Sequence, residues 1–277
     1  MKYISFIIPC FNSSEYMRHC IESCLVSDDV EVLIIDDGSK KDNTLDIAKE
    51  YEQRYKGVCR AIHKENGGHG SVVNRGIEEA TGLFLKVVDS DDWLDSELLK
   101  KILENIKKMV AEDKVPDLII SNYIYDKVGQ EHKKVMRYAD TMASDKILTW
   151  DDIKEFKLGE YLLMHSLMYK TSVLKNCNLN LPEHTFYVDN IFAYKPLPYV
   201  HSLIYYDYNL YHYYIGREDQ SVNEKIMIGR LDQQYRVTYK MLDDVDIWSV
   251  RYKRLQNYMI NYMSIIMTVS SILSIRS

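Results

Sequence analysis

The chain has 277 residues, of which 46% are hydrophobic and 27% are charged, a globular composition that excludes a disordered or collagen-like chain. Its 35 basic and 41 acidic side chains give a net charge of −6, so it lacks the basic surface of a duplex nucleic-acid binder. Five scattered cysteines and no recognisable secretory signal favour reduced thiols and a cytoplasmic protein.

The first ninety residues alternate between strand-like and helix-like segments. Short apolar runs of strand length occur at 4–9, 30–36, 58–63 and 83–88, and apolar residues recur at helical spacing between them. This alternation predicts βαβ units and a largely parallel sheet that is buried on both faces. Because right-handed crossovers bring the carboxyl ends of parallel strands to one edge, the loops after these four runs are predicted to share one ligand-binding cleft.

The rest of the chain has a less regular pattern. Residues 98–110 form an amphipathic helical stripe after Asp95, and a strand is predicted over 117–125. The segment 161–214 is rich in aromatic residues, and the segment 226–277 is proline-free and helical in pattern. The sequence contains no internal repeat.

The second strand ends in Asp36-Asp37-Gly38-Ser39. A carboxylate at a strand end can accept hydrogen bonds from ribose hydroxyls or from a nucleobase. The same residue types also form turns and helix caps. Taken alone, this segment is compatible with either role.

The third strand is followed by the glycine-rich turn Asn66-Gly67-Gly68-His69-Gly70. Glycines allow backbone N–H groups to approach a phosphate at a helix N-terminus. With Asp89 nineteen residues beyond Gly70, the segment resembles a dinucleotide fingerprint. However, Val73 stands where a third small residue is expected, and the turn follows the third strand, which disfavours a dehydrogenase.

The fourth strand is followed by Asp89-Ser90-Asp91-Asp92. Three carboxylates within four residues repel one another unless a cation or hydrogen-bond donors compensate them. Oxygen-rich sites of this kind suit Mg²⁺ or Mn²⁺ that bridges phosphates. The alternative is that Asp91, Asp92 and Asp95 serve to cap the next helix.

Five motifs follow one another over residues 4–95. They are Ile7-Ile8-Pro9-x-Phe11-Asn12, Asp36-Asp37-Gly38-Ser39-x-Lys41-Asp42, Asn66-Gly67-Gly68, Asn74-Arg75-Gly76 with Ala80-Thr81-Gly82, and Asp89-Ser90-Asp91-Asp92-Trp93. Together they resemble the nucleotide-binding half of the family 2 glycosyltransferases, which have the inverting GT-A fold. The resemblance implies a nucleotide-sugar donor, usually linked to UDP.

The resemblance also implies roles for individual residues. The D-x-D motif of the family falls on Asp89 and Asp91, of which the second is expected to bind Mn²⁺ or Mg²⁺ and the first to face ribose or metal-bound water. Asp92 is an alternative to either. The donor-binding residues implied by the motifs are Pro9, Phe11, Asn12, Asp36, Asp37, Asn66, Gly67, Asp89 and Ser90.

The second half of the chain contains a candidate base and two candidate sugar contacts. The segment 185–190 resembles the family segment whose acidic pair supplies the catalytic base; here the pair is Val188-Asp189, which leaves Asp189 as the carboxylate. The alternative role for Asp189 is a helix N-cap. His165 and His184 occupy positions where relatives contact sugars, and a structural histidine is the alternative for each.

Tyr211-His212-Tyr213-Tyr214 and the residues after it resemble the aromatic strand and basic loop of the family. The resemblance implies that Arg217 binds the diphosphate and that Gln220 and Ser221 complete a closing flap. In some relatives a histidine near this point reaches the metal, and His212 is the histidine available here. The alternative is that His212 points away from the site.

The sequence therefore predicts an α/β protein with a GT-A-like three-layer αβα sandwich, a mixed, mainly parallel sheet and a C-terminal helical tail. Residues 1–95 are assigned to the nucleotide-sugar-binding half, 96–225 to the acceptor half with the base, and 226–277 to the tail. The predicted reaction is metal-assisted, inverting transfer from a UDP-sugar to a hydroxyl of a glycan, lipid-linked or wall-polymer acceptor. A nucleotidyltransferase, a dehydrogenase and a non-catalytic sugar-nucleotide-binding subunit are the alternatives.

The helical tail has two further interpretations besides core packing. Residues 258–275 are rich in Met, Ile, Val and Leu and follow the basic segment 251–254. The stretch is too polar to predict a membrane span, but it is compatible with a helix on an anionic membrane surface or with a contact between copies of the chain. The resulting expectation is a cytoplasmic enzyme of cell-surface polysaccharide synthesis, at the inner face of the membrane.

Overall fold

The structure is a computed structural model that describes residues 1–127, 133–157, 159–216 and 224–276. Within these ranges ten strands belong to one sheet. They are β1 (Ile4–Cys10), β2 (Val30–Asp36), β3 (Cys59–His63), β4 (Phe84–Val87), β5 (Trp93–Leu94), β6 (Leu118–Lys127), β7 (Lys134–Met136), β8 (Ile147–Leu148), β9 (Leu167–Lys170) and β10 (Leu203–Ile215).

Nine α-helices surround this sheet in the described ranges. They are α1 (Met17–Cys24), α2 (Thr44–Arg54), α3 (Gly68–Glu79), α4 (Ser96–Ala111), α5 (Thr171–Asn176), α6 (Asp189–Tyr194), α7 (Glu224–Ile228), α8 (Leu231–Asp244) and α9 (Lys253–Arg276). The four strands predicted in the first ninety residues are all present, and their ends differ from the predicted ones by at most one residue.

The sheet is mixed and places the first four strands in parallel. The order is β3-β2-β1-β4-β9-β6-β10-β5, with β7 paired to β6 and β8 to β10. Strands β1, β2, β3 and β4 are parallel to one another, and β10 is parallel to β6. Strand β9 is antiparallel to β4 and β6 and joins these two parallel groups. The predicted mixed, mainly parallel sheet is therefore confirmed.

Two apolar cores lie on opposite faces of the sheet. Because successive strand residues point to opposite faces, Phe6 and Ile8 pack in the core formed with α1, α2 and α4, whereas Ile7 packs in the other core. The second core contains side chains of α3, α5, α6, α8 and α9. This arrangement is the predicted three-layer sandwich, and it explains why the central strands read as continuous apolar runs.

The predicted helical tail is present as α7, α8 and α9. Helix α9 buries Leu255, Tyr258, Met259 and Tyr262 in the second core, so the tail shares a core with the sheet. Among the described residues, α9 is the one helix that is long and apolar enough to cross a membrane, and 39% of its most apolar window is buried in the protein. The domain boundaries at residues 95 and 225 stay predictions.

Candidate active site

A cleft of about 720 Å³ opens at the edge of the sheet where the parallel strands end. Its walls are the loop after β1, Asp37, the start of α3, the loop after β4 and the segment 184–186. The parallel register of β1, β2 and β4 brings these loops together, as the crossover argument predicts. Of the implied donor-binding residues, those on this wall are Pro9, Phe11, Asn12, Asp37, Asn66, Asp89 and Ser90.

Asp37 organises one wall of the cleft. Its buried carboxylate accepts hydrogen bonds from Lys64 Nζ at 2.8 Å, from Asn66 Nδ2 at 3.0 Å, and from the backbone N–H groups of Gly67 at 3.0 Å and Gly68 at 2.8 Å. The glycine turn therefore donates to a carboxylate of the chain itself. Gly67 is not on the cleft wall, and its N–H is not presented to a phosphate as the sequence suggested.

Asp36 lies behind the cleft wall, contrary to its predicted place at the nucleoside. It is fully buried, and its carboxylate contacts His63 Nδ1 at 2.7 Å and accepts from the backbone N–H of Ser39 at 3.2 Å. One oxygen thus joins the ends of β2 and β3, and the other holds the turn after β2. The two adjacent aspartates therefore have different roles: Asp37 lines the cleft, and Asp36 supports the loop beneath it.

The loop after β1 supplies an exposed aromatic ring to the cleft. Phe11 is 53% exposed and lines the cleft. The next residue, Asn12, has a φ of 50° and accepts from the backbone N–H of Lys41 at 3.1 Å. Its own N–H donates to Ser39 Oγ at 2.8 Å, so the loops after β1 and β2 are tied to each other.

The acidic segment after β4 separates into three different environments. Asp95 is the N-cap of α4 and accepts from the backbone N–H groups of Glu97 and Leu98, so the capping role belongs to it. Asp92 is buried and accepts from Tyr211 Oη at 2.5 Å and from the backbone N–H of Tyr214 at 2.8 Å. Burial and the nearby carboxylates raise the pKa of Asp92 well above its usual value.

Asp89 and Asp91 both line the cleft, as predicted. The Asp89 carboxylate contacts His69 Nε2 at 2.8 Å. Burial acts to raise the pKa of Asp89, but the charge and hydrogen bond of His69 outweigh it and hold this pKa below the usual value. The role of Asp91 as the principal metal ligand stays a prediction.

A cluster that could hold a metal ion is formed by Asp89, Asp92 and His165. Their ligand atoms all lie within 4.8 Å of one another. Burial lowers the pKa of His165 to about 4, so its imidazole is neutral at pH 7. Its Nδ1 atom is buried and has no hydrogen-bond partner in the described part of the chain. A neutral imidazole beside two carboxylates is a suitable donor set for a transition-metal cation such as Mn²⁺.

His165 reaches this cluster because it lies on a short 3₁₀ turn, Met164–Ser166, directly before β9. Its ring stacks between Tyr211 and Tyr213, at centroid distances of 4.8 and 4.7 Å. The sequence suggested a sugar contact for this histidine, and the structure places it with the acidic cluster. No sequence spacing relates it to Asp89, since the two are brought together by the pairing of β4 with β9.

His212 does not join this cluster, contrary to its predicted role as a metal ligand. Because side chains alternate along β10, Tyr211 and Tyr213 face His165 and His212 faces the other way. The His212 ring stacks on Trp93 at 5.1 Å, and its Nδ1 lies 3.1 Å from Asp126 Oδ2. The strand geometry supports the alternative that His212 points away from the site.

Asp189 is the first residue of α6, and the N-cap position is occupied by Val188. The alternative role of Asp189 as a capping residue is therefore not observed. Burial is the main factor that raises the pKa of Asp189, and Asp89 adds to the rise while His69 opposes it. The catalytic role of Asp189 stays a prediction.

The segment before α6 forms another wall of the cleft. His184 is exposed, lines the cleft and has a φ of 46°, while its N–H donates to Gly67 O at 2.7 Å. Phe186 is 43% exposed and lines the same wall. Arg217, Gln220 and Ser221, which were predicted to bind the diphosphate and close a flap, lie outside the described residues.

Two site residues were not assigned from the sequence. His69 stands within the glycine-rich turn and contacts Asp89, but its position in that turn gave no sign of the partner twenty residues away. Tyr211 belongs to an aromatic run in which the pattern does not distinguish the residue that holds Asp92 from its neighbours. Only the pairing of distant strands identifies either one.

Comparison with known proteins agrees with this geometry. Residues 5–163 match the family described as Glycosyl transferase family 2. EpsH of Bacillus subtilis (strain 168), provisionally named a glycosyltransferase, is 32% identical over an alignment of 231 residues, with 76% of this chain and 60% of that protein covered. YibD of Escherichia coli (strain K12), an uncharacterized glycosyltransferase, is 29% identical over 245 residues, with 85% and 67% covered. This chain thus spans 60% of the length of EpsH.

Two solved structures share the fold. S. aureus TarS 1–349 in complex with UDP-GlcNAc has a TM-score of 0.69 at 21% identity, covering 95% of this chain and 73% of that one. The mannosyltransferase PcManGT from Pyrobaculum calidifontis, in complex with GDP-Man and Mn²⁺, has a TM-score of 0.61 at 15% identity, covering 98% and 73%. At these identities the likeness concerns the fold, and it confirms the predicted GT-A-like architecture.

Proposed function

This chain belongs to glycosyl transferase family 2, and we propose that it transfers a sugar from a UDP-sugar to a hydroxyl of an acceptor, with inversion at the anomeric carbon. The observation that carries the proposal is the cleft at the carboxyl edge of the parallel strands, where Asp89 and Asp91 lie beside the glycine turn and the segment before Asp189, and where Asp89 also belongs to the cluster with Asp92 and His165. The acceptor is a glycan, a lipid-linked sugar or a wall polymer.

The residues present fit a divalent cation. Asp89, Asp92 and His165 would hold it, with Asp91 on the cleft wall, because their ligand atoms lie close together and the imidazole is neutral. A bound Mn²⁺ or Mg²⁺ would offset the negative charge that grows on the leaving diphosphate. The Mn²⁺ bound in the PcManGT complex supports this part of the proposal.

The chain's own side chains would perform the remaining steps. Phe11 would stack on the nucleobase at the exposed end of the cleft, and Asn66 would line the nucleoside pocket that Asp37 organises. Asp189 would accept the proton of the acceptor hydroxyl as that oxygen attacks the anomeric carbon. Attack opposite the diphosphate in one displacement inverts the anomeric configuration and needs no covalent intermediate.

Calorimetric titration with UDP, GDP and CDP, each with Mn²⁺ and with EDTA, tests the nucleotide and metal parts of the proposal. We expect saturable binding of UDP in Mn²⁺ and at least tenfold weaker binding in EDTA, with GDP and CDP weaker than UDP. A preference for GDP, which is the nucleotide of the PcManGT complex, would replace the UDP-sugar by a GDP-sugar. No binding of any nucleotide would contradict the proposal.

The cellular setting is part of the same proposal. All five cysteines are buried free thiols, which supports a cytoplasmic protein. Helix α9 begins with the basic residues Lys253 and Arg254, shortly after Arg251, which supports attachment of the tail to an anionic membrane surface, with a second copy of the chain as the alternative. Flotation with vesicles of anionic and of neutral lipid would distinguish the two, because only the first requires acidic headgroups.

A further inference from the structure

His69 is the one imidazole on the cleft wall, among the described residues, that is hydrogen bonded to a carboxylate of the acidic cluster. Its Nε2 lies 2.8 Å from Asp89 Oδ1, and both side chains are partly buried, with 32% and 24% of their surfaces exposed. Within the described residues, this is the one hydrogen bond that the Asp89 carboxylate makes. One oxygen is thereby occupied, and the other remains for a ligand.

We infer that His69 is a positioning residue of the active site, which fixes the Asp89 carboxylate in the orientation that binds the metal and donor. The inference rests on the proposed function and extends it to a residue to which the family motifs assign no role. A carboxylate on a single-bonded side chain otherwise rotates between orientations, and a hydrogen bond to a ligating carboxylate typically sets its geometry.

The structure holds His69 itself in place from two sides. The Asp37 carboxylate binds the N–H groups of Gly67 and Gly68 at the start of α3, one and two residues before His69. Gly68 has a φ of 80°, and a Cβ there would lie 3.2 Å from the backbone nitrogen of His184, so the turn has room only for glycine. A side chain that begins from so constrained a turn has a well-defined position.

His69 consequently links the two acidic motifs of the cleft. Asp37 follows β2 and Asp89 follows β4, and the two strands are separated in the sheet by β1. The chain of contacts runs from Asp37 through the turn at the start of α3 to His69 and then to Asp89.

The test compares His69→Leu with His69→Gln. Glutamine retains an N–H donor of similar reach, whereas leucine retains volume without a donor. Free Mn²⁺ is measured by electron paramagnetic resonance in the presence of saturating UDP, and unfolding by urea is followed in parallel. We expect His69→Leu to weaken Mn²⁺ binding by about 10- to 100-fold and His69→Gln to stay within about threefold of the wild type.

His63→Leu is the matched control. His63 also pairs with a strand-end carboxylate, Asp36, at 2.7 Å, but neither residue lines the cleft. This variant is expected to keep wild-type Mn²⁺ affinity, so an effect confined to His69 cannot come from the loss of any histidine–aspartate pair. Rescue by glutamine separates positioning from folding, because a structural role alone would lower stability without changing metal affinity in the folded fraction.

The outcomes distinguish the inference from the function on which it rests. If the wild type binds UDP and Mn²⁺ and His69→Leu binds Mn²⁺ equally well, the positioning role is wrong and the proposed function stands. If His69→Gln is as impaired as His69→Leu, hydrogen bonding to Asp89 is not what the imidazole supplies, and the inference fails. If the wild type binds neither UDP nor Mn²⁺, the proposed function fails and the inference with it.

Discussion

Tyr211 donates its hydroxyl hydrogen to the Asp92 carboxylate over 2.5 Å and so joins β10 to the acidic segment after β4. The two residues are 119 positions apart in the chain. The same hydroxyl accepts from the backbone N–H of Asp89 at 3.2 Å. One tyrosine therefore fixes both ends of the Asp89–Asp92 segment.

Tyr211→Phe is expected to destabilise the protein by about 1–3 kcal/mol, because a buried carboxylate and a backbone N–H each lose a partner while the ring remains. Urea unfolding measures the change in free energy. Tyr208→Phe, on the same strand, is the control, since the Tyr208 hydroxyl makes no hydrogen bond within the described residues. Equal stability of the two variants would mean that water replaces the Tyr211 hydroxyl without cost.

Asp91→Ala is expected to weaken UDP binding in Mn²⁺ at least tenfold, because a carboxylate on the cleft wall would be lost from the metal site. Calorimetry with UDP measures the effect, and EDTA added to the wild type should reproduce it. Asp95→Ala is the control: it removes the N-cap of α4 and should cost about 1 kcal/mol of stability with UDP affinity unchanged. Wild-type affinity in Asp91→Ala would remove this residue from the metal site.

Asp189→Asn is expected to lower turnover by about 10²–10⁴-fold with UDP binding intact, because the amide keeps the size of the side chain but cannot accept the proton. Asp232→Asn, on the exposed surface of α8, is the control. Turnover within tenfold of the wild type would mean that another group acts as the base.

The raised pKa of Asp189 predicts where activity falls on the acidic side of the pH profile. Burial raises the pKa of Asp189, and the base works in its ionised form, so activity should fall as the pH drops through a value above the ordinary aspartate pKa of about 3.9. A profile of kcat/KM against pH measures this limb. An acidic limb that lies at or below the ordinary value would contradict the buried position of the base.

Lys86 gives the fold a pH-dependent stability. Its side chain is fully buried on β4 and donates to the carbonyl oxygens of His165 at 2.7 Å and Leu167 at 3.2 Å, while burial lowers its pKa to about 7. Between pH 7 and about 10.4 the unfolded chain binds a proton that the folded chain does not, so stability should rise with pH in this window by at most about 1.4 kcal/mol per unit.

Lys86→Met is expected to remove this rise, whatever its effect on stability at pH 7. Urea unfolding of the wild type and the variant at pH 7, 8 and 9 measures the difference in slope. Lys100→Met, at an exposed position of α4, should keep the wild-type slope. Parallel curves for the wild type and Lys86→Met would mean that Lys86 stays protonated in the folded state.

The sequence predicted those parts of the site that depend on a single segment. The lengths of the apolar runs predicted where β1, β2 and β4 end. Asp89 and Asp91 lie shortly after the end of β4. The orientation of a particular side chain within a motif depends on a partner that the sequence pattern does not reveal. Asp36 and Asp37 are adjacent and identical in type, but they have different partners. Asp36 contacts His63 and is buried, whereas Asp37 accepts from the glycine turn and lines the cleft.

The second half of the site was harder to predict for the same physical reason. His165 and His212 were both candidates, and the choice between them depends on strand alternation and on the pairing of β9 and β10 with distant strands. Local propensity does not encode these long-range pairings. The aromatic run over 205–214 could not indicate which tyrosine faces the acidic cluster, because the run contains both buried and half-buried tyrosines.

The most direct test of the proposed reaction is the release of UDP from a panel of UDP-sugars. The panel contains UDP-glucose, UDP-galactose, UDP-GlcNAc, UDP-GalNAc and UDP-glucuronate, each tested with Mn²⁺ and with EDTA in the wild type and in Asp189→Asn. We expect that at least one donor releases UDP in Mn²⁺ and that EDTA or the Asp189→Asn change abolishes this release. Absence of release from every donor, or release that is unchanged by both treatments, would contradict the proposed reaction.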